Sequence, residues 1–401
     1  MEFALGCMGP LMGDFTDYRS EHDTLMTDIE LIKIADRCGI KYAWANEHHG
    51  LTRYSHLSAS EVFIPYALAQ TERIHVGSGI WPLNPTANHP YRLAERVAMV
   101  DHLSLGRFEF GTGRGAGSWE VATFGLEPSQ TRENWDEVIW EFKKMWSSGD
   151  PRMGGGKPYS FEGKSFSVPP RNVIPKPLGG PDTHPPMWVA VGNLPTFEKA
   201  GRHGIGALGF GFIVAGMDGM RPYVEKYKQA IEKAEPVGRF INDNFALFTT
   251  ILCMEDGREA RRQMVRAGLN KMLSLVYLYH DTFAHPEGVN IWPDVDPTPT
   301  LEQIDELIES QFLICGDPDE VAEQLQPYAD MGVDQIGFQL PMDLPAEVAA
   351  ESLRVFGEKV VPRFDTDPVH RTLRMRYGAM ADKIAADRNL AATPFDSSST
   401  R

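Results

Sequence analysis

Cysteine is scarce in this chain, and its four thiols, Cys7, Cys38, Cys253 and Cys315, lie far apart in sequence. That spacing gives no paired cysteine metal motif, a disulfide framework is not expected, and a reducing compartment fits better. Positive charge is short too: 39 Lys and Arg face 55 Asp and Glu, a formal net charge of −16. A surface of that sign repels nucleic acid and anionic membranes, so neither is expected as a partner. No apolar run is long enough to cross a bilayer. The opening "MEFALGCMGP" has no basic residue ahead of its apolar stretch, so a secretory leader is not expected. Long blocks of like charge and internal repeats are also missing. The expectation is a soluble cytoplasmic protein.

What is present is a regular alternation of apolar strand-like runs and amphipathic helical runs. The runs "FALGCMG", "KYAWAN", "RIHVGSGI", "RFEFGTG", "MWVAVGN", "GIGALGFG", "FALFTTILCM" and "DQIGFQL" read as eight strands. "DTLMTDIELIKIADRCG" is a helix by its apolar spacing, and Gly39 stops it. "SEVFIPYALAQT" reads as a helix that Pro65 bends or limits. "HPYRLAERVAMVDHLS" opens on Pro90 and has Leu93, Val97, Val100 and Leu103 as its buried stripe. "NWDEVIWEFKKMW" reads as one more helix. Strands alternating with helices require a parallel sheet, and eight units suggest a single TIM (β/α)8 barrel of the α/β class. An open doubly wound sheet is the competitor. Insertions are expected after strand four, at about 147–186, and after strand seven. Residues 1–365 are expected to form the barrel. Residues 366–401 are expected to form a C-terminal helical extension that ends in the disordered tail "TPFDSSSTR".

In such a barrel, functional residues gather where strands end at their carboxyl side. "NEHHG" puts Glu47, His48 and His49 at the end of strand two. Adjacent strand residues point to opposite faces, so the two histidines should not aim at one point while the strand persists. A metal site would need further ligands such as His56 or His89, and no metal is expected. The alternatives are one packing and one solvated histidine, or a proton-transfer histidine oriented by its neighbouring carboxylate. "GTGRGAG" ends strand four. Gly111, Gly113 and Ala116 match a dinucleotide turn only loosely, and "SWEVATFGLEP" should break the helix such a turn needs. The glycines could instead let backbone approach a ligand, with Arg114 as a forked donor to phosphate; a rim ion pair is the plain alternative.

Gly192, Asn193 and Leu194 form a turn ahead of a helix starting near Thr196. Exposed N–H groups there would make an anion site beside Arg114, unless the turn is an ordinary helix cap. At the end of strand three, Gly79 and Ile80 precede Trp81 and two prolines, as a bulge or a plain turn would. Met8, Trp44, Trp81 and Phe210 lie near strand ends as candidate pocket walls. The long stretch 275–300 reads as a lid with Tyr277, Tyr279, Phe283 and Trp292 on its inner face. In the alternative reading the two tyrosines finish a helix.

The stretches "WANEHHG", "RIHVGSG", "TANHPYRLAERVAMVDHLSLGRFEFGTGRG", "VAVGN" and "CGDPDEVAEQLQPYADMGVDQIGF" resemble bacterial luciferase-like flavin monooxygenases, in order and to about residue 360. The resemblance implies a TIM barrel that binds reduced FMN at its mouth. It implies a reaction with dioxygen through a flavin peroxide, with oxygenation of a small-to-medium apolar substrate. It also implies a separate NAD(P)H:flavin reductase and a homodimer or higher oligomer. His48 matches the family's catalytic histidine, with Glu47 and His49 as its neighbours. Gly79–Ile80 matches a non-proline cis peptide beneath the flavin, Arg114 the phosphate arginine, and Gly192, Asn193 and Leu194 the phosphate turn. Gly113 stands where luciferase itself has a reactive cysteine, and Val191-Gly192 where it has Glu-Ser, so the resemblance does not extend to light emission. It is better to two-component monooxygenases, limonene-type enzymes among them. Two other readings stay open. One is a deazaflavin-dependent hydride-transfer enzyme on the same barrel. The other is a protein without that chemistry: a non-catalytic flavin binder or a metal-dependent hydrolase.

Overall fold

A computed structural model describes residues 1–11, 18–115, 117–211, 216–281 and 290–390. The tail "TPFDSSSTR", Ala116 and Phe283 fall outside these. Eight parallel strands close a barrel: β1 Glu2–Cys7, β2 Tyr42–Ala45, β3 His75–Ser78, β4 Phe108–Gly113, β5 Met187–Ala190, β6 Gly206–Phe210, β7 Phe245–Cys253 and β8 Gln335–Gln339. They pair in chain order, and β8 returns to β1 with Glu2 opposite Gln335. Their near-continuous apolar runs match strands covered on both faces.

The barrel interior is filled by large rings, each seated against a glycine of the next strand. Trp44 lies opposite Gly77, Trp188 opposite Gly206, and Phe248 opposite Gly337. A Cβ on any of these glycines would collide with the ring facing it. Bulk on one strand is thus accommodated by its absence on the neighbour, which holds interior packing density without strain.

The insertion after β4 carries an antiparallel hairpin, Tyr159–Glu162 with Ser167–Arg171. The insertion after β7 contains a strand the sequence reading omitted, Leu313–Gly316, which runs parallel to the far half of β7. Three helical expectations change. The "NWDEVIWEFKKMW" stretch forms two helices, Pro128–Val138 and Phe142–Trp146. Helix Ser60–Ala69 runs through Pro65. Leu103, expected in the buried stripe of helix Pro90–Leu103, is 71% exposed, because this last helical residue turns outward.

Residues beyond 365 cover the amino end of the barrel. His370 stacks on His75 at 3.9 Å between centroids. Glu109 receives the Thr372 hydroxyl at 2.6 Å and the Trp188 indole N–H at 2.8 Å, and it pairs with His75 at 2.7 Å. Burial pushes the Glu109 carboxyl up to about 8. Arg376 grips Asp101 in bidentate fashion at 2.8 and 2.6 Å, with both side chains fully buried. Breaking a buried pair leaves one charge uncompensated. Asp101→Asn should therefore destabilise the fold by about 3–5 kcal/mol, read as a lower urea midpoint. An unchanged midpoint would show that this pair does not hold the barrel end.

Candidate active site

The carboxyl-end rim of the barrel holds a cavity of about 170 Å³. Glu47, His48, His49, Gly79, Ile80, Arg114, Gly192, Asn193 and Phe210 all line it, so residues read from four separate motifs converge. Strand β2 ends at Ala45, and the His48 N–H then donates to Leu57 O. The strand alternation that should have parted the two histidines therefore stops before it reaches them, and both face one cavity. His56 pairs with Glu21, and His89 packs edge-on against Phe166. Among the described residues no group of three His, Cys, Asp or Glu side chains is arranged to hold a metal.

His48 Nδ1 lies 3.1 Å from Glu120 Oε1, which also accepts the His49 N–H at 2.9 Å. An ionised carboxylate only accepts, so Nδ1 carries the proton. His48 Nε2 makes no hydrogen bond among the described residues. Burial alone would raise the Glu120 carboxyl; its hydrogen bonds and the neighbouring histidines hold it below its ordinary value. The rings of Tyr54 and His280 sit edge-on against His48 at 5.2 and 5.9 Å. His280 Nε2 and the Tyr54 hydroxyl are 3.0 Å apart, and burial brings His280 down to about 3, so it is neutral. A second relay fixes Glu47. The Trp81 indole N–H donates to Ser60 Oγ at 2.7 Å, and Ser60 donates to Glu47 Oε2 at 2.6 Å. The other Glu47 oxygen lies 3.4 Å from His49 Nε2.

The sequence reading did not name Glu120, Tyr54 or His280. Glu120 sits on a six-residue helix, Ser118–Thr123, within the stretch expected to break any helix. Asp281 pins that helix through the Ser118 N–H at 2.9 Å and the Ser118 hydroxyl. His280 directly follows helix Leu269–Tyr279, which ends with the two tyrosines assigned to a lid. Tyr277 is buried in a satellite core, and the Tyr279 hydroxyl donates to Thr52 O. Neither lines the cavity. Trp292, also assigned to the lid, packs beneath Arg53. Nor do Trp44 and Trp81 line the cavity: Trp44 points into the barrel and donates to Gln335, while Trp81 packs on Phe108. Met8 lines a small adjoining cavity of about 30 Å³ that shares Asn46, Tyr54 and Phe210 with the main one.

Peptide Gly79–Ile80 is cis. The glycines of β4 serve packing rather than ligand approach: a Cβ on Gly111 would strike Ser78 O, and one on Gly113 would strike Ile80. The turn before helix Leu194–Arg202 is also revised. The Gly192 and Asn193 N–H groups are not open; both donate to Thr196 Oγ1, while Asn193 caps the helix through the Thr196 N–H. Leu194 lies outside the cavity wall. Cations gather beside the turn instead. Arg114 and Arg132 line a second cavity of about 400 Å³, which also meets Asn193 and Thr196. Asp136, an acid of the same cavity wall, is engaged by Lys199. Burial and the nearby Arg132 pull the Arg114 guanidinium below its ordinary value, against Asp136.

Residues 6–335 match the luciferase-like monooxygenase family. The chain belongs to that family. It is accordingly an oxidoreductase. The chain is 25% identical over 354 residues to the flavin-dependent trigonelline monooxygenase, oxygenase component, of Acinetobacter baylyi, covering 86% of this chain and 91% of that one. It is 24% identical to the F420-dependent glucose-6-phosphate dehydrogenase of Amycolatopsis mediterranei, covering 84% and 93%. The oxygenating constituent of 3,6-diketocamphane monooxygenase from Pseudomonas putida, solved in complex with FMN, superposes with a TM-score of 0.71. It is 21% identical and is matched over 91% of this chain and 98% of that one. Among the described residues no helix is long and apolar enough to cross a membrane.

The Glu47 hydrogen bond raises His49 above its ordinary value near 6.5, against partial burial. The stabilisation from this pair is full below that ordinary value and is lost as pH rises through the raised one. Glu47→Gln should lower the His49 titration midpoint, followed by its imidazole NMR shifts. An unmoved midpoint would remove Glu47 as the cause.

Proposed function

We propose that this protein is the oxygenase of a two-component flavin-dependent monooxygenase. It receives reduced FMN from a separate NAD(P)H:flavin reductase and uses it with dioxygen on a small organic substrate. One observation carries the reading. The rim cavity joins the His48–Glu120 pair and the Gly79–Ile80 peptide to Arg114, which also lines the adjoining cavity with Arg132, and neither guanidinium forms an ion pair among the described residues. A flat ring with a phosphate tail matches that combination of apolar wall, proton-handling group and unpaired cations. The relative named as an oxygenase component supports a separate reductase.

Bound reduced FMN would supply the electrons that activate dioxygen. Arg114, Arg132 and the Asn193 side chain would hold its phosphate. Ile80, Val121, Phe124, Leu126 and Phe210 would keep water out, which protects reactive species from hydrolysis and proton leakage. His48, with Nδ1 fixed by Glu120, would use Nε2 to hold or move a proton. The relative named as F420-dependent supports a second reading, hydride transfer with a deazaflavin in the same cavity.

Two copies would pair through the outer ring, where Val62, Tyr66, Met99 and Leu103 are exposed on helices Ser60–Ala69 and Pro90–Leu103. Exposed apolar side chains on neighbouring outer-ring helices fit such an interface. Leu103→Lys should shift sedimentation from dimer to monomer; a monomeric wild-type protein would exclude the pairing.

Anaerobic titration with reduced FMN, followed by rapid mixing with oxygenated buffer, tests the main reading. Saturable binding and slow, multi-step reoxidation are expected. Arg114→Ala should weaken binding by about 10–100-fold, the worth of a charged hydrogen bond. His48→Ala should bind reduced FMN normally yet lower substrate turnover by about 10²–10⁴-fold. Binding of F420 in place of reduced FMN would move the assignment to hydride transfer.

A further inference from the structure

Glu120 uses only half of its hydrogen-bonding capacity. It is 4% exposed, and both of its recorded donors, His48 Nδ1 and the His49 N–H, go to Oε1. Oε2 is buried and has no hydrogen-bond partner among the described residues. The residue lines the rim cavity beside Val121, Phe124 and Leu126. Glu47, the other acid of the cavity wall, is spoken for on both oxygens by Ser60 and His49. The Tyr54 hydroxyl is paired with His280. Glu120 is held ionised by its histidine neighbours. A buried anionic oxygen is costly to leave without a donor. Among the described residues, Glu120 Oε2 is therefore the carboxylate oxygen of this wall that lacks a donor.

We propose that Glu120 is a substrate-binding and specificity-determining carboxylate: Oε1 holds His48, and Oε2 accepts an N–H or O–H donor from an otherwise apolar substrate. A protonated amine suits the site best, since the ligand then also meets the charge. The wall residues supply apolar contact, so a molecule with one donor at the edge of an apolar body fits better than a wholly apolar or a polyanionic one. That the bound molecule is the oxygenation substrate rests on the oxygenase reading above; that Oε2 takes a donor does not.

The test is calorimetric binding to the full-length protein, with and without FMN, of benzylammonium, benzyl alcohol and toluene. These share a ring and carry a charged donor, a neutral donor and none. Affinity should fall in that order, by about 10–100-fold from first to last, the worth of one charged hydrogen bond. Glu120→Gln keeps the shape and puts an amide N–H₂ in place of Oε2 while its carbonyl retains His48. It should bring the three probes to within about twofold of one another. His48→Gln leaves the carboxylate in place and should keep the order, which separates donor binding from general damage to the pocket. Equal affinities or no binding in the wild type, or an order that survives Glu120→Gln, would overturn the proposal. So would loss of reduced FMN binding in Glu120→Gln with the probe order intact, because the oxygen would then belong to the flavin. If reduced FMN fails to bind the wild type while the probe order holds, the oxygenase reading falls and the assignment of Glu120 stands.

Discussion

The rest of the structure depends on the packing of rings against glycines inside the barrel. Trp44 against Gly77, Trp188 against Gly206 and Phe248 against Gly337 are register pairs on adjacent strands. A slip of one residue would send each ring to the opposite face of its strand, so the register is fixed wherever such a pair sits. Fixed register fixes strand ends. Asn46 to His49, Gly79–Ile80, Arg114 and Gly192–Asn193 all follow the ends of neighbouring strands, and closure turns those ends into one rim.

The two ends of the barrel use buried polar groups differently. At the amino end Glu109 has both oxygens engaged, by His75 and Thr372 on one and Trp188 on the other, and Arg376 is matched by Asp101. Those groups close the fold. At the rim, Glu120 has one oxygen engaged and one idle, while half-buried Arg114 and exposed Arg132 form no ion pair among the described residues. Polar groups are buried at a cost unless they are paired, so unpaired ones beside a cavity mark where a ligand completes the structure. Both ends are rich in histidine and glutamate, and the amino end also leaves neutral polar atoms without partners, His75 Nε2, His370 Nδ1, Asn244 Oδ1 and Gln335 Nε2, so what sets the rim apart is the idle oxygen of an ionised carboxylate beside a cavity.

The rim motifs were legible because each lies immediately after an apolar strand run. Glu47, His48, His49, Gly79, Ile80, Arg114 and Asn193 sit within a few residues of such an end. The residues that went unseen have no such marker. Glu120 lies on a helix too short to carry a periodic signal, and that helix is pinned by Asp281, more than 160 positions away. His280 closes a helix that reads as ordinary apolar packing. The aromatics were misassigned for the opposite reason. Trp44 and Trp81 do lie near strand ends, yet the inward or outward direction of a ring depends on strand register and on the neighbour it meets.

The sequence by itself determined the alternation of strands and helices, the acidic surface, the spacing of the rim motifs and the family, because these are local or compositional properties. Only the tertiary structure decided which side chains meet. Strand β2 ends before His48, so two adjacent histidines share one cavity. The turn at Gly192–Asn193 spends its N–H groups on Thr196. Glu120 reaches His48 across 72 residues of chain. Contacts of that span are set by barrel closure and by the satisfaction of buried charge, and neither is written in any short stretch of sequence.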